Sequence, residues 1–198
     1  MTTALDTHHR IAVIIGSVRE GRFGVGIGAW VHKSLLDADI DGNIDRHIDA
    51  DLIDLAELTV PHTMAGHPDL ASFANRINAA DAVIVITPEY NHSFPGPLKT
   101  AIDALREPWQ AKPVGFVCYG GLAGGLRAVE ALRLVFAELH AMTVRDTVSL
   151  HNPWGPASDP AVDFPDSAAT DALHRMVRQL LWWAGALRAA KSREPYPG

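Results

Sequence analysis

Three short runs of consecutive apolar residues are the clearest pattern along the chain, and each ends at glycine or at threonine and proline. Runs of this length without polar interruption are typical of strands buried on both faces of a sheet. Weaker patterns predict two further strands. Pro88 is expected to stop the third strand, because proline cannot donate a ladder hydrogen bond. The predicted strands are residues 11–15, 46–55, 82–86, 114–119 and 143–150.

Segments with the helical spacing of apolar side chains separate these strands. The predicted helices are residues 25–36, 69–80, 97–105, 125–140 and 167–190, with Asp69 as the expected N-cap of the second. Strands that alternate with helices form a parallel sheet covered on both faces. We therefore predict a single α/β domain at residues 10–190, after a flexible N-terminus at 1–9 and before a tail at 191–198. Residues 151–165 are expected to form a long loop.

Composition and charge narrow the class of protein. The 198 residues are 47% hydrophobic with a net charge of -6, which suits one globular domain and argues against nucleic-acid or membrane-surface binding. Residues 1–10 lack the apolar segment of a signal peptide, so a cytoplasmic protein is expected. Cys118 is the single cysteine, which excludes an intramolecular disulfide and a CxxC metal site. No metal is predicted.

The first loop, residues 16–24, has the composition of a phosphate site. It places Ser17, Arg19 and Arg22 among glycines directly before a helix. Glycine-rich turns and helix N-termini direct backbone N–H groups towards anions. Arg22 and Phe23 stand where a P-loop needs lysine and serine or threonine, and the GxGxxG dinucleotide fingerprint is absent. A monoester phosphate is therefore the predicted ligand, and a tight structural turn is the alternative.

Two later loops are also rich in turn-forming residues. Residues 87–99 form a rim fixed by proline and glycine, where Tyr90 and Phe94 suit a flat polar ring. Residues 119–125 contain two glycine pairs, which leave a bare backbone for a planar ligand. We expect His92 to be solvated and Cys118 to be an inert packing residue. Ligands of doubly wound sheets bind beyond the carboxyl ends of the strands, where these loops lie.

Three motifs together resemble the NAD(P)H-dependent FMN reductase family. They are GSxR at residues 16–19, PEYNxSxPGxLKxAID at 88–103 and YGGxxGGxRA at 119–128, and the second is highly specific. The resemblance covers residues 11–150. It implies a flavodoxin-like three-layer sandwich, with a five-stranded parallel sheet in the order 2-1-3-4-5, and a non-covalently bound FMN. The implied phosphate-binding groups are Ser17, Arg19 and the backbone amides of Gly21, Arg22, Phe23, Gly24 and Val25. The resemblance further implies that Pro88, Glu89, Tyr90 and Asn91 lie along the isoalloxazine with Ser93 close by, and that Tyr119, Gly120 and Gly121 flank its pyrimidine edge.

The resemblance also implies an enzyme that passes a hydride from NADPH or NADH to FMN, then to a free flavin, quinone, azo compound or metal oxyanion. Because the flavin carries this chemistry, no catalytic side chain is predicted. A flavodoxin-type electron carrier is the alternative, although such carriers tend to be more acidic. A hydrolase on the same fold lacks a GxSxG nucleophile elbow here. No 2′-phosphate site distinguishes NADPH from NADH.

The family resemblance implies a homodimer or homotetramer, and the last third of the chain adds one observation. Trp154, Trp182 and Trp183 are expected to pack in the core, with an oligomer interface as the alternative, since large aromatic side chains are enriched at interfaces. The sequence departs from the commoner family pattern at Phe23-Gly24, at Cys118 and at Thr100. These departures bear on phosphate contacts and FMN affinity but leave the predicted fold unchanged.

Overall fold

A five-stranded parallel sheet forms the centre of the fold in the computed structural model, which describes residues 8–37, 47–63, 65–155 and 164–198. The strands are β1 (His8–Ile15), β2 (His47–Asp54), β3 (Ala82–Pro88), β4 (Pro113–Gly120) and β5 (Met142–His151). The helices that flank the sheet are α1 (Gly24–Leu35), α2 (Pro68–Ala79), α3 (Gly96–Asp103), α4 (Leu126–Glu138) and α5 (Ser167–Lys191). The order β2-β1-β3-β4-β5 confirms the predicted flavodoxin-like topology.

The two faces of the sheet bury separate apolar clusters, as β1 illustrates. Successive side chains of a strand point to opposite faces. Ile11, Val13 and Ile15 therefore join the cluster under α1 and α5, whereas Ala12 and Ile14 join the one under α2, α3 and α4. All five side chains are at most 2% exposed. Burying one such aliphatic side chain contributes roughly 1.5–3 kcal/mol, which explains why a continuous apolar run predicts this position.

β3 continues two residues further than predicted and includes Pro88. Its pairing with β1 ends where Ile15 faces Ile86, whereas its pairing with β4 continues until Pro88 faces Tyr119. The last residues of β3 therefore have a strand neighbour on one side only. The missing N–H of Pro88 breaks no bond to β1, and the strand ends at this proline as expected, although the predicted limit at Ile86 was two residues short.

His67, and not Asp69, caps α2. The Nδ1 atom of His67 accepts the backbone N–H of Asp69 at 3.2 Å. The Asp69 carboxylate instead accepts the backbone N–H of Thr59 at 2.9 Å. Pro68 then fits the first turn, where its missing N–H has no partner to lose. The predicted cap was wrong because a donor ten residues earlier in the chain competes for that carboxylate.

Both ends of the sheet domain differ slightly from the predicted limits. β1 begins at His8, so His8 and His9 belong to the sheet and not to the predicted flexible N-terminus, and α5 includes Lys191. The division into one domain and two short ends otherwise stays a prediction. Residues 1–7, and residues 156–163 of the predicted long loop, lie outside the described residues. Among the helices that the structure describes, none has the length and apolarity needed to cross a membrane.

The expectation that three tryptophans pack in the core was wrong. Trp154, Trp182 and Trp183 are 53%, 65% and 36% exposed. The inner stripe of α5 instead includes Leu180, which is fully buried, and the helical period turns Trp182 and Trp183 outwards. Trp109, in a short turn before β4, is the fully buried tryptophan.

Candidate functional site

The three predicted loops meet at the carboxyl edge of the sheet. They follow β1, β3 and β4, which are neighbours in the sheet. The backbone N–H of Gly16 donates to the carbonyl of Ile86 at 2.9 Å, which joins the first loop to β3. The N–H of Glu89 donates to the carbonyl of Tyr119 at 2.9 Å, which joins the second loop to β4. Non-local strand pairing thus brings together segments about 100 residues apart in the chain.

The first loop presents backbone N–H groups that lack a protein acceptor. Between Ser17 and Phe23, and within the part of the chain that the structure describes, only Arg22 donates its N–H, to the carbonyl of Arg19 at 3.2 Å. Gly21 has a φ of 62°, a left-handed conformation that suits glycine. The N-cap of α1 offers no side-chain hydrogen bond, and the first turn has no acidic residue. Free amides at a helix N-terminus fit a phosphate group.

Ser17 is 1% exposed, and its hydroxyl lies 2.8 Å from that of Tyr90. This contact ties the first loop to the second. Gly24 faces the hydroxyl of Tyr119, and a Cβ atom at this position would lie only 3.1 Å from that oxygen. Burial is the main cause that raises the pKa of Tyr119, and Tyr90 adds to it, so the phenol stays protonated near neutral pH. The hydroxyl groups of Ser17, Tyr90 and Tyr119 therefore stabilise the first loop without adding a charge to it.

The two arginines of the first loop differ in environment. Arg22 forms an ion pair with Asp54, and the two side chains are 19% and 11% exposed. The Nε atom of Arg22 is buried without a hydrogen-bond partner. The side chain of Arg19 lies with its guanidinium 5.4 Å from the ring centre of Tyr90, and the residue is exposed. Arg19 is thus the arginine whose charge is available to a phosphate.

Sequence reasoning missed Asp54, although one signal points to it. Asp54 is the last residue of β2 and lies in register with Ile15, the last residue of β1. Ligands of such sheets bind beyond the carboxyl ends of the strands, so a charged residue at this register position belongs to the candidate site. Its ion pair with Arg22 joins the first loop to the end of β2.

The second loop contains a tight turn that exposes two side chains. Tyr90 and Ser93 exchange backbone hydrogen bonds of 2.9 and 3.0 Å, and Asn91 and His92 between them have φ angles of 49° and 70°. Two consecutive positive φ values define a type I′ turn, a geometry in which asparagine is favoured. His92 is exposed, which confirms the expectation that it is solvated. The N–H and C=O groups of Ser93 both form hydrogen bonds within this turn.

Glu89 carries a nearly buried carboxylate at the base of the second loop. Its Oε1 atom accepts from Nη1 of Arg127 at 3.1 Å, and its side chain is 11% exposed. Its Oε2 atom is buried without a partner. Buried polar atoms nearly always form a hydrogen bond in native proteins. The buried Oε2 atom of Glu89, which lacks one, therefore indicates a position where a ligand can donate a hydrogen bond. Arg127 belongs to the third motif, but sequence reasoning assigned it no role.

The third loop leaves its backbone open. The carbonyl of Gly120 accepts the N–H of Asn152 at 2.9 Å, and a Cβ at Gly120 would lie 3.0 Å from the nitrogen of Gly125. A Cβ at Gly121 would meet only Oδ1 of Asn152, at 3.6 Å. Within the described ranges, the N–H groups of Asn91 and Gly121 have no protein acceptor. These amides and the unfilled carboxylate oxygen fit a flat ring with both donor and acceptor edges.

Cys118 lies beneath the third loop, in the core. It is fully buried, and its Sγ donates to the carbonyl of Gly124 at 3.3 Å. Burial is the largest cause that raises its pKa to about 12, so the reactive thiolate is scarce at neutral pH. Its burial confirms the expected packing role, and its low reactivity stays a prediction.

The fold, the free amides at the N-terminus of α1 and the open rim beside them define a flavodoxin-like flavoprotein. The chain belongs to the NADPH-dependent FMN reductase family, whose model matches residues 9–155. This family membership confirms the predicted enzyme class, which uses FMN and NAD(P)H. The individual FMN contacts stay predictions, although every residue in them lies on one of the three loops or at the strand and helix ends that flank them.

Similar proteins support the family at moderate identity. An NAD(P)H-dependent FMN reductase of Schizosaccharomyces pombe is 32% identical over 129 residues, which cover 59% of this chain and 60% of that protein, somewhat less than two thirds of its length. A quinone reductase of Escherichia coli is 34% identical over 140 residues, covering 68% and 73%. The structure of the flavoenzyme NAD(P)H:(acceptor) oxidoreductase FerB from Paracoccus denitrificans matches with a TM-score of 0.65 at 21% identity, covering 90% and 98%. This last likeness shows the fold alone.

Proposed function

We propose that the protein reduces quinones with electrons from NADH or NADPH, using FMN held by the three loops. The proposed position of FMN rests on one observation. Free backbone amides, the unpartnered Oε2 of Glu89 and the unpartnered Nε of Arg22 all lie at the same edge of the sheet. The choice of quinone is supported by the Escherichia coli relative, which is named a quinone reductase. Free flavins, azo compounds and metal oxyanions are the competing acceptors.

Each loop has a separate task in this proposal. The amides between Ser17 and Phe23, together with Arg19, hold the phosphate, because free N–H groups at a helix N-terminus favour an anion. The N–H groups of Asn91 and Gly121, which have no protein acceptor within the described residues, would donate to the ring system of FMN. FMN, when bound, supplies the chemistry of accepting and donating a hydride. Backbone amides stabilise developing negative charge without titrating near neutral pH, so the protein needs no general acid or base.

The rim of the third loop favours an apolar acceptor. Leu122 is 86% exposed at its tip, and Leu126 is 43% exposed at the start of α4. Binding sites for small aromatic molecules are predominantly apolar, with a few polar groups that fix orientation. A quinone carries no charge, so it can lie against these leucines without the desolvation cost that the phosphate of free FMN would add.

Acceptor specificity is tested by steady-state kinetics. The purified holoprotein is assayed for NADH and NADPH oxidation with 1,4-benzoquinone, free FMN and methyl red as alternative acceptors. We expect the highest kcat/KM for the quinone, and parallel lines in double-reciprocal plots because both substrates use one site in turn. A higher kcat/KM for free FMN overturns the quinone assignment. A preparation that binds no FMN overturns the proposal as a whole.

Leu122→Ser tests the apolar rim directly. Loss of one apolar contact of about 1 kcal/mol raises the KM for the quinone roughly fivefold, while reduction of the bound flavin by NADH is unchanged. Leu134→Ser is the matched control, because Leu134 is 76% exposed on α4, outside the three loops. Equal effects of the two substitutions contradict the role given to the rim.

The absence of a general acid or base is tested by four substitutions. Glu89→Gln, Tyr90→Phe, His92→Ala and Cys118→Ser should each retain substantial flavin reduction when FMN is saturating. Stopped-flow absorbance of the flavin isolates this step from the later reduction of the acceptor. A thousandfold loss in any one variant, about 4 kcal/mol of barrier, shows that a side chain performs the proton chemistry.

A further inference from the structure

A cluster of two histidines and one aspartate lies at the amino edge of the sheet, opposite the flavin loops. His8 and His47 are the first residues of β1 and β2 and face each other in register. Their rings stack with centroids 5.2 Å apart. Asp49 follows two residues later in β2, on the same face as His47 because side chains alternate along a strand. All three side chains are exposed and within reach of a dissolved ion.

Two nitrogen–oxygen distances in this cluster equal the spacing between neighbouring ligands of one metal ion. One carboxylate oxygen of Asp49 lies 3.3 Å from Nε2 of His8, and the other lies 3.3 Å from Nε2 of His47. Ligand atoms about 2.0–2.2 Å from a tetrahedral zinc ion lie roughly 3.3–3.6 Å from one another. One ligand atom from each of the three residues falls within 4.8 Å of the others, so small side-chain rotations complete the geometry.

Among the described residues, the carboxylate of Asp49 pairs with the two histidines and with no arginine. The next carboxylate along the same face of β2, Asp51, takes both nearby arginines: Arg76 at 2.5 Å and Arg10 at 3.6 Å. In the part of the chain that the structure describes, the ion-pair partners of Asp49 are His8 and His47.

We propose that His8, His47 and Asp49 bind one divalent transition-metal ion of the cobalt, nickel, copper and zinc series, with water completing its shell. Imidazole nitrogens favour these ions, whereas magnesium and calcium prefer shells made only of oxygen. The ion joins β2, an edge strand, to its neighbour β1. β1 is eight residues long, so the flavin loops lie about 25 Å away and are not contacted.

Isothermal titration of the full-length chain, purified without a histidine tag, tests the site. ZnCl2 and NiCl2 should each give one ion bound per chain, and MgCl2 should give no binding heat. His47→Ala and Asp49→Asn should weaken zinc binding at least tenfold, since loss of even a group that only supports a metal ligand costs about that much. His174→Ala, which removes a histidine of α5, is the matched control and should retain wild-type affinity.

A second measurement keeps the proposal testable if one variant folds poorly. The electron paramagnetic resonance spectrum of the Cu²⁺-loaded chain should show coupling to imidazole nitrogen, and this coupling should decrease in His8→Gln. Circular dichroism without metal verifies that each variant is folded. Wild-type zinc affinity in both His47→Ala and Asp49→Asn, or magnesium binding as tight as zinc, overturns the proposal. Absence of zinc and nickel binding shows that the three side chains form an ion-pair cluster only.

Discussion

Replacement of Arg19 by alanine is predicted to weaken FMN binding and to leave riboflavin binding unchanged. The two ligands share the ring system and differ by the phosphate. Arg19 is exposed, beside loop amides that have no protein acceptor. Arg22 is less available for this task, because Asp54 already holds it in an ion pair. The charge of Arg19 should therefore act on the phosphate alone.

The expected magnitude follows from the exposure of this arginine. A hydrogen bond to a charged group contributes about 1.5–3 kcal/mol, which corresponds to roughly one to two decades in Kd. Water screens an exposed arginine, so the lower end of this range applies and the loss is about tenfold. Higher salt should make the loss smaller.

Fluorescence titration of the flavin-free protein with FMN and with riboflavin measures both affinities. Arg145→Ala is the matched control, since it removes the same charge from a side chain that is 95% exposed on β5. We expect less than a twofold change in that variant. Equal losses for FMN and riboflavin in Arg19→Ala would refute a phosphate contact. An equal loss of FMN affinity in Arg145→Ala would show that net charge, and not position, is responsible.

Three further predictions follow from burial, backbone geometry and exposure. The pKa of Cys118 is raised to about 12, so the folded protein should react with thiol reagents at pH 8 far more slowly than the protein in denaturant. Because the folded state holds this proton more strongly than the unfolded state, the free energy of unfolding should decline as pH rises above about 9. Gly125→Ala should lower the free energy of unfolding, measured in urea, by about 2–4 kcal/mol. The φ angle of Gly125 is 93°, and a Cβ atom there would lie 2.6 Å from the backbone nitrogen of Tyr119. Gly185→Ala, where a Cβ meets open space, should not destabilise the fold. The exposed pair Trp182 and Trp183 predicts a homodimer or homotetramer, which light scattering tests; a 21.4 kDa species with full activity would contradict it.

Much of the fold followed from the sequence because it depends on local patterns. Buried strands of a parallel sheet are apolar throughout, so the runs at residues 11–15, 82–86 and 114–119 were recognisable without knowledge of their partners. The glycines and prolines that follow these strands also act locally, since they determine which backbone turns are possible. The carboxyl-edge rule then placed the three loops together. The sequence by itself thus determined the sheet, its helices and the position of the candidate flavin site.

Tertiary structure alone decided which charged and polar side chains meet. Arg22 with Asp54 and Glu89 with Arg127 are 32 and 38 residues apart, and no spacing rule relates them. The same holds for His8 and His47, which strand register brings face to face. Such pairs depend on which strands become neighbours and on where their registers begin, and both are set by packing of the whole core. Local patterns determine the elements, but only the assembled sheet determines their side-chain partners.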